Sequence, residues 1–434
     1  METIIYYLQL FRLTQGNILS FFKLAKETFT NRNLVAVTVM QTLFMFTAFL
    51  WWPYRSLYIR ELGATNEQLG LLLTVETVTN LIFQYPGGVL ADKYGRRKLI
   101  ILGSILRLLS PISFLLATDW THIVPAMILS SSAMIGFPAR MALITESIPA
   151  GNRSSGLAIF RTVTSIPMII TSLMGGVIVD YYGVIDGIHL ILLASAATAV
   201  LSIVVSSFFI TETMVEGSKQ KKKTSTSIGQ RIREASHMPR QVWIITLIAT
   251  LSMFSVRMVW SFMVIYGIEE VGITKTEWGL IGTFVSLIST LITTPSGVLS
   301  DRLGRKKIIL ASRITSTLST LGFTFSQNFW HMSIVRGLGG IGSGMGGAMM
   351  GPMGGPVWQA LVADLTPINE RGRMMGIMGT VGSLGSIPAS WIGGYMYDNI
   401  SPELPFYSSF ILDMVGSAIF LVAVKEPNKD SRED

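Results

Sequence analysis

The sequence predicts an all-α membrane protein, twelve transmembrane helices arranged as two pseudo-symmetric six-helix bundles. Three observations predict it. Half of the residues are hydrophobic and only 14% are charged, giving a mean hydropathy of +0.51, too apolar for a water-soluble core of 434 residues. The apolar residues fall into twelve stretches near the roughly 20 residues that cross the hydrocarbon of a bilayer. Finally, Pro86-Gly87-Gly88-Val89-Leu90-Ala91-Asp92-Lys93-Tyr94-Gly95-Arg96-Arg97-Lys98 returns 209 residues later as Pro295-Ser296-Gly297-Val298-Leu299-Ser300-Asp301-Arg302-Leu303-Gly304-Arg305-Lys306-Lys307. A duplicated chain explains the recurrence.

The spans are expected at 34–53, 68–91, 98–118, 121–145, 155–179 and 187–210, then at 241–267, 277–300, 307–327, 330–363, 374–397 and 404–424. Spans 68–91 and 98–118 flank the first basic hairpin, and 277–300 and 307–327 flank the second. Span 330–363 holds a stretch dense in Gly and Met, from Gly337 to Gly355. No alternation of about ten residues suggests barrel strands, so helices remain.

Lys and Arg set the orientation. Of 34, six lie within spans, three (Arg55, Arg60 and Lys275) in loops on one side, and the other 25 on the opposite side. Positive charge collects on the cytoplasmic face, so both termini and the central linker are expected there. The net charge of +8 is then a topology signal, and no nucleic-acid partner is implied. Residues 1–33 lack the basic start, apolar centre and cleavage site of a signal peptide. They read as an interfacial segment, with Leu8, Phe11, Phe21 and Phe22 against Lys23 and Lys26. Residues 34–211 form the first bundle, 212–240 a basic cytoplasmic linker along anionic headgroups, 241–424 the second bundle and 425–434 a cytoplasmic tail. With no cysteine, the chain has no disulfide, thiolate metal site or thiol redox chemistry.

The duplication extends past the hairpins. Leu62-Gly63 and Gly70-Leu71 recur as Val271-Gly272 and Gly279-Leu280 at the same offset. Later the offset is 218: Ala142-Leu143, Glu146, Pro149 and Arg153 match Ala360-Leu361, Asp364, Pro367 and Arg371, while Gly175-Gly176 and Asp180 match Gly393-Gly394 and Asp398. About nine residues were therefore gained in the second half, with Gly337 to Gly355 the natural place.

The hairpin pattern Gly-x-Leu-x-Asp-x-x-Gly-Arg-[Arg/Lys]-Lys resembles the signature loops of the major facilitator superfamily, between helices two and three and again between eight and nine. The resemblance covers roughly residues 34 to 424. It implies two halves related by an axis along the membrane normal, a midplane substrate site between them, and transport by alternating access. It also implies that the hairpins, through Gly88, Asp92, Gly95, Arg96, Gly297, Asp301, Gly304 and Arg305, act as a conformational latch. Gly88 and Gly297 would allow close helix approach, Gly95 and Gly304 the turn, and Asp92 and Asp301 could face a helix N-terminus or an Arg of the other half.

A charge inside a span costs roughly 2.5–3.5 kcal/mol near the helix centre, so each needs a partner, a cavity or a route to the interface. Arg161 and Arg313 lie close to cytoplasmic helix ends and can snorkel; Arg107 and Arg140 can do so in part, and Arg336 lies near an outer end. Glu76 is deeper. With Asn80 and Gln84 it forms a polar stripe at four-residue spacing, whereas the second half has Val285, Ser289 and Thr293 there. A midplane carboxyl that ionises when water reaches it suits proton coupling, and an ion pair with Arg161 or Arg107 is the structural alternative. Asp413 is a second proton-coupling candidate, with a structural hydrogen bond as its other reading.

Arg257, with Phe254, Trp260 and Ser261 at helical spacing, lies in the seventh span, which by resemblance lines the cavity with the first, fourth and tenth. Arg257 could meet a polar or anionic substrate or pair with Glu76. Gln41, Asn80, Trp260 and Arg336 are further cavity candidates, as are Ser130 to Ser132. The Met of spans ten and eleven, among them Met345, Met349, Met350, Met353, Met374, Met375 and Met378, suit either a pocket for varied apolar ligands or plain packing. The Gly-x-Gly-x-x-Gly matches at Gly337 and Gly342 follow no strand and are not a dinucleotide site. His122, His189, His237 and His331 have no metal spacing, and no nucleotide-hydrolysis or nucleophile motif occurs. Ile166-Pro167 and Gly175-Gly176 keep parts of a fifth-helix pattern of drug–proton antiporters, and Arg336 to Gly340 places an Arg-x-x-x-Gly element in the tenth span.

The expectation is a non-enzymatic secondary transporter, without cofactor, acting as a monomer in the plasma membrane. Proton-coupled efflux of apolar or amphipathic compounds is the leading form. Uptake or exchange of an organic anion is the alternative, and a membrane sensor or lipid scramblase on the same fold is an alternative of another class.

Overall fold

The computed structural model describes residues 29–148, 153–212, 239–346, 354–366 and 370–424. The expected interfacial segment, most of the linker, Met349, Met350, Met353 and the tail lie outside them. Among the described residues the chain is a succession of helices: α1 Arg32–Glu61, α2 Asn66–Tyr94, α3 Arg96–Leu115, α4 Trp120–Ser147, α5 Arg153–Ser165 with Met168–Tyr182, and α6 Val184–Phe209. The second half repeats this as α7 Arg240–Glu269, α8 Lys275–Leu303, α9 Arg305–Phe323, α10 Phe329–Gly344 with Pro356–Asp364, α11 Arg371–Gly385 with Ala389–Asn399, and α12 Leu404–Ala423. Eight of them are long and apolar enough to cross a bilayer: α1, α3 to α8 and α12. In α2 the polar stripe lowers the hydropathy, α9 carries Arg305, Lys306, Lys307 and Arg313 with several Ser and Thr, and α10 and α11 are each divided.

Helix ends follow local chemistry. Thr65 and Thr274, 209 residues apart, both build capping boxes, with Gln68 and Glu277 closing them at the N-termini of α2 and α8. Gly95 and Gly304 take φ of 93° and 100° where α2 turns into α3 and α8 into α9, a conformation that strains any side chain. Pro167 and Pro388 precede the second pieces of α5 and α11, positions where a missing N–H costs nothing. Pro53 sits in the first turn of a 3-10 segment, Trp52–Tyr54, so α1 continues to Glu61 where the sequence suggested an end near residue 53.

The packing is asymmetric along the helices. At the end that carries Asn66 and Lys275, one core is shared by both halves: Tyr54 and Leu69 of the first pack with Val259, Phe262, Tyr266 and Tyr397 of the second. At the hairpin end each half has its own core, around Leu99, Ile144 and Phe160 in one and Trp358, Met374 and Phe420 in the other. The halves are thus joined at one end and parted at the other. The join consists mainly of α2 against α11 and α5 against α8.

Glycines set how closely those pairs approach. A Cβ on Gly176 would strike the backbone of Lys275, and one on Gly394 the backbone of Asn66; Gly279 and Gly70 meet Ser172 and Ser390 in the same way. Small residues let the backbones touch, which is how helices gain contact in lipid, where the hydrophobic effect gives little between them.

Candidate transport cavity and gate

A cavity of about 390 Å³ lies within the first half, among α1, α2, α3, α4 and α6. Its volume falls in the range of pockets that take small organic ligands. Phe44, Phe49, Trp51, Trp52, Met45 and Met134 supply much of an apolar wall. Gln41 and Asn80 line it, as do Ser130 and Ser131. Its location differs from the expected site between the halves. Every residue that lines it, from Gln41 to Ser202, belongs to the first half.

Glu76 faces this cavity, about 15 Å along α2 from its N-terminus at 1.5 Å per residue. Both of its oxygens accept from one guanidinium, Arg55 Nη1 at 3.0 Å and Nη2 at 2.9 Å. Arg55 is the partner that the sequence reading placed in an outer loop. It reaches Glu76 because α1 runs on past Pro53, turning the charge inward. The neighbour Tyr54 donates its hydroxyl to the carbonyl of Ser172 at 2.6 Å in α5, and Arg60 lies 3.7 Å from Glu269. The segment Arg55–Glu61 therefore connects the carboxyl in the cavity to the joined end of the halves.

That end is held by two matching clamps. Asp180 of α5 accepts from the backbone N–H of Lys275 at 3.2 Å and of Thr276 at 2.7 Å, at the N-terminus of α8. Asp398 of α11 accepts from the N–H of Glu67 at 2.8 Å and the side-chain amide of Asn66 at 2.7 Å, at the N-terminus of α2. A carboxylate at a helix N-terminus satisfies orphan donors and the positive end of the dipole. Each clamp crosses between the halves, and each follows the Gly-Gly pair that lets its helix come close.

The profile of the Major Facilitator Superfamily matches residues 37–267 and 245–434. The chain belongs to the major facilitator superfamily. Among curated relatives, the quinolone resistance protein NorA of Staphylococcus aureus is 27% identical over 194 residues, a match spanning 45% of this chain and 47% of that protein, about half the length of each. An MFS-type transporter of Methanocaldococcus jannaschii is 24% identical over 382 residues, covering 85% of this chain and 89% of its own. Among solved structures, the nucleoside transporter NupG superposes with a TM-score of 0.70 at 14% identity, over 90% of this chain and all of that one. A D-xylose–proton symporter gives 0.66 at 17% identity, over 91% and 98%. At such identities the structures establish the fold alone; the superfamily match and the eight apolar helices make this an integral membrane protein of a transporter family.

In the superfamily fold seen here the two hairpins stand at the parted end. Arg96 pairs with Glu146 of α4, and Arg305 pairs with Asp364 of α10, so the duplicated Arg meets the duplicated acid in each half. Glu212 accepts from the N–H groups of Arg96 and Arg97, both at 3.1 Å, capping α3. Asp92 and Asp301 are exposed. Among the described residues, the expected contact of these aspartates with the other half is not formed in this arrangement, because the halves are apart at this end. For the same reason Gly297 faces open space and Gly88 makes only ordinary contact with Pro138; close approach falls instead to Gly87, against the backbone of Ile135.

Several other candidates lie away from the cavity. Arg257 donates to Thr77 Oγ1 at 2.5 Å across the two halves, one residue from Glu76. Trp260 is 53% exposed, beyond the end of the first piece of α7. Arg336 lies over the ring of Trp278, 5.9 Å from its centroid. Arg313 does not snorkel. It is 3% exposed, donates to Ser417 Oγ at 2.7 Å and Ser252 Oγ at 2.8 Å, and stands 3.6 Å from Asp413. Met374 and Met378 are buried in the core of the second half, where they fill space.

Proposed function

We propose that this superfamily member exports apolar or amphipathic organic compounds in exchange for protons, by rocking its halves about the joined end, with both termini in the cytoplasm of the cell membrane and the cavity open toward that side in the present arrangement. The observation that carries the reading is the Glu76–Arg55 pair inside a cavity walled by Phe44, Phe49, Trp51 and Trp52. An apolar wall accepts varied solutes with little directional demand. A carboxylate that leaves its Arg on protonation couples the cavity to α1, whose outer piece takes part in the joined end. Protonation of Glu76 then releases Arg55 and loosens that end. Loss of the proton restores the pair. Similarity to a quinolone resistance protein over about half of the chain supports efflux as the direction.

The hairpins are assigned the role of a latch for the opposite arrangement, in which their end is closed. Asp92 and Asp301, exposed now, are free to cap helices of the other half there, as Asp180 and Asp398 do at the far end. The protein acts as a monomer with one small-molecule solute per cycle.

Purified protein in proteoliposomes tests the export reading. With an acidic lumen, wild-type protein accumulates a fluorescent quinolone, and Glu76→Gln abolishes the dependence on the gradient. Accumulation that ignores the gradient in wild-type protein, or an unaltered pH dependence in Glu76→Gln, refutes proton coupling.

A further inference from the structure

We infer that Arg107 and Arg140 form an anion-binding site inside the cavity, so that the preferred solute is an organic anion with a flat apolar body, bearing a carboxylate or sulfonate. The inference rests on the reading of this cavity as the transport site. Arg107, from the middle of α3, and Arg140, from α4, both line the cavity and also the small cleft that opens from it beside Gly103 and Gly136. The guanidinium of Arg107 lies on the ring of Phe44, 3.8 Å from its centroid, and Arg140 stands 5.9 Å from the centroid of Phe137. Stacking holds each cation in place and leaves the edges of the guanidinium, where its donors lie, for another group.

Arg55 has Glu76 and Arg313 has Asp413, but among the described residues neither Arg107 nor Arg140 forms an ion pair. Arg257 and Arg336 also form no ion pair among the described residues, but they lie away from the cavity; what sets Arg107 and Arg140 apart is that both line it. Arg140 is only 9% exposed. Three arginines of the cavity wall thus face one carboxylate, and that one is held by Arg55. Two like charges in a medium of low dielectric repel each other, and each has lost hydration. One anion between them offsets both costs, because guanidinium groups bind carboxylate and sulfonate in a two-pronged fashion. Among the described residues Glu76 is the one acid that lines the cavity, and it is already engaged by Arg55. No further acid among them lines it, which fits a site whose counter-charge arrives with the ligand.

The body of the ligand follows from the walls. Phe44, Trp51 and Trp52 are rigid aromatic surfaces, and about 390 Å³ holds a ring system of two or three rings but not a two-chain lipid. The source of the anion is therefore a water-soluble solute, and not a phospholipid headgroup.

Binding measured apart from transport tests the site. Purified protein in phosphatidylcholine nanodiscs is titrated with 2-naphthoate and with its neutral isostere 2-naphthamide by calorimetry. Naphthoate is expected to bind at least tenfold tighter than naphthamide. Arg107→Gln and Arg140→Gln remove most of that preference, whereas Arg107→Lys and Arg140→Lys keep part of it. Equal affinity for the two ligands in wild-type protein overturns the site without reliance on any variant. An unchanged preference in both Gln variants does the same, as does displacement of naphthoate by phosphatidylglycerol placed in the nanodisc. Should naphthoate show its preference while no solute moves in proteoliposomes, the anion site stands and the export reading falls. Should quinolone move while naphthoate and naphthamide bind alike, the anion site alone falls.

Discussion

Asp398 holds the backbone N–H of Glu67, 331 residues away in sequence, at 2.8 Å. Its counterpart in the other half, Asp180, holds Thr276 at 2.7 Å. Both carboxylates sit at the N-terminus of a helix from the opposite bundle, so the two halves close each other by a pair of equivalent bonds. Such bonds are well suited to a gate. They are short-range, they exchange readily for water, and each has the energy of a helix cap and not of a buried core.

Replacing the clamps should open that end. A cap of this kind contributes about 0.5–2 kcal/mol. Asp180→Ala with Asp398→Ala together should then cost about 1–4 kcal/mol and shift the equilibrium between arrangements by about fivefold to nearly a thousandfold, since 1.4 kcal/mol is a factor of ten. The absence of native cysteine makes the measurement direct: spin labels on Glu61→Cys and Glu270→Cys, both exposed, report the separation of the halves. The labels should move apart in the double variant. An unchanged distance distribution would show that the shared apolar core alone keeps this end shut.

Bulk at the Gly-Gly pairs should do the same by a different route. Gly176→Val and Gly394→Val each place a side chain against the opposing helix backbone, at Lys275 and Asn66, where neither neighbour can yield. Transport should fall at least tenfold while the protein stays folded, with the labels reporting an open joined end. Gly297→Val, which meets open space in the present arrangement, should leave these labels in place and hinder closure of the hairpin end. Identical label distances in all three variants would remove the distinction.

The Glu76–Arg55 pair should show strong coupling. The side chains are 21% and 10% exposed, so the pair is partly dry. Breaking a fully buried pair costs about 3–5 kcal/mol, and partial exposure puts this one at about 2–3 kcal/mol. Arg55→Gln leaves a carboxylate in the cavity without its partner. Arg55→Gln with Glu76→Gln removes both charges and should recover much of the loss in thermal unfolding, the signature of direct interaction. Additive losses would mean that the two residues act independently.

Much of this architecture was legible in the sequence, and the gaps have physical causes. Hydropathy and the two offsets anticipated a duplicated, all-helical chain, because lipid demands length and apolarity of a crossing helix, and eight of the described helices meet that demand. The spacing of Glu76 and Asn80 marked a cavity-facing stripe, and both residues line the cavity. Arg55 escaped because Trp51-Trp52-Pro53 has the look of a helix end, while a proline in the first turn of a 3-10 segment lets the rod continue. The matching positions of Asp180 and Asp398 were visible, but their partners were not: each bond joins opposite halves, and no local pattern encodes contacts across 95 or 331 residues. Arg107 and Arg140 looked able to snorkel from depth alone. Only the packing of Phe44 and Phe137 against them shows that they face inward.

Asp413, a proton-coupling candidate by its depth in α12, should prove structural. Its carboxylate stands 3.6 Å from Arg313, and the same guanidinium takes its own backbone carbonyl at 3.0 Å together with Ser252 and Ser417. Elsewhere α12 presents Ile411 and Val415 outward, 59% and 47% exposed, as a helix facing lipid does. Asp413→Asn keeps the shape and the hydrogen-bonding capacity but removes the charge that balances Arg313, which should cost about 1–3 kcal/mol of stability. Quinolone accumulation in proteoliposomes should retain its dependence on the pH gradient in this variant, in contrast to Glu76→Gln. Loss of that dependence with unaltered thermal unfolding would reverse the two assignments and make Asp413 the proton carrier.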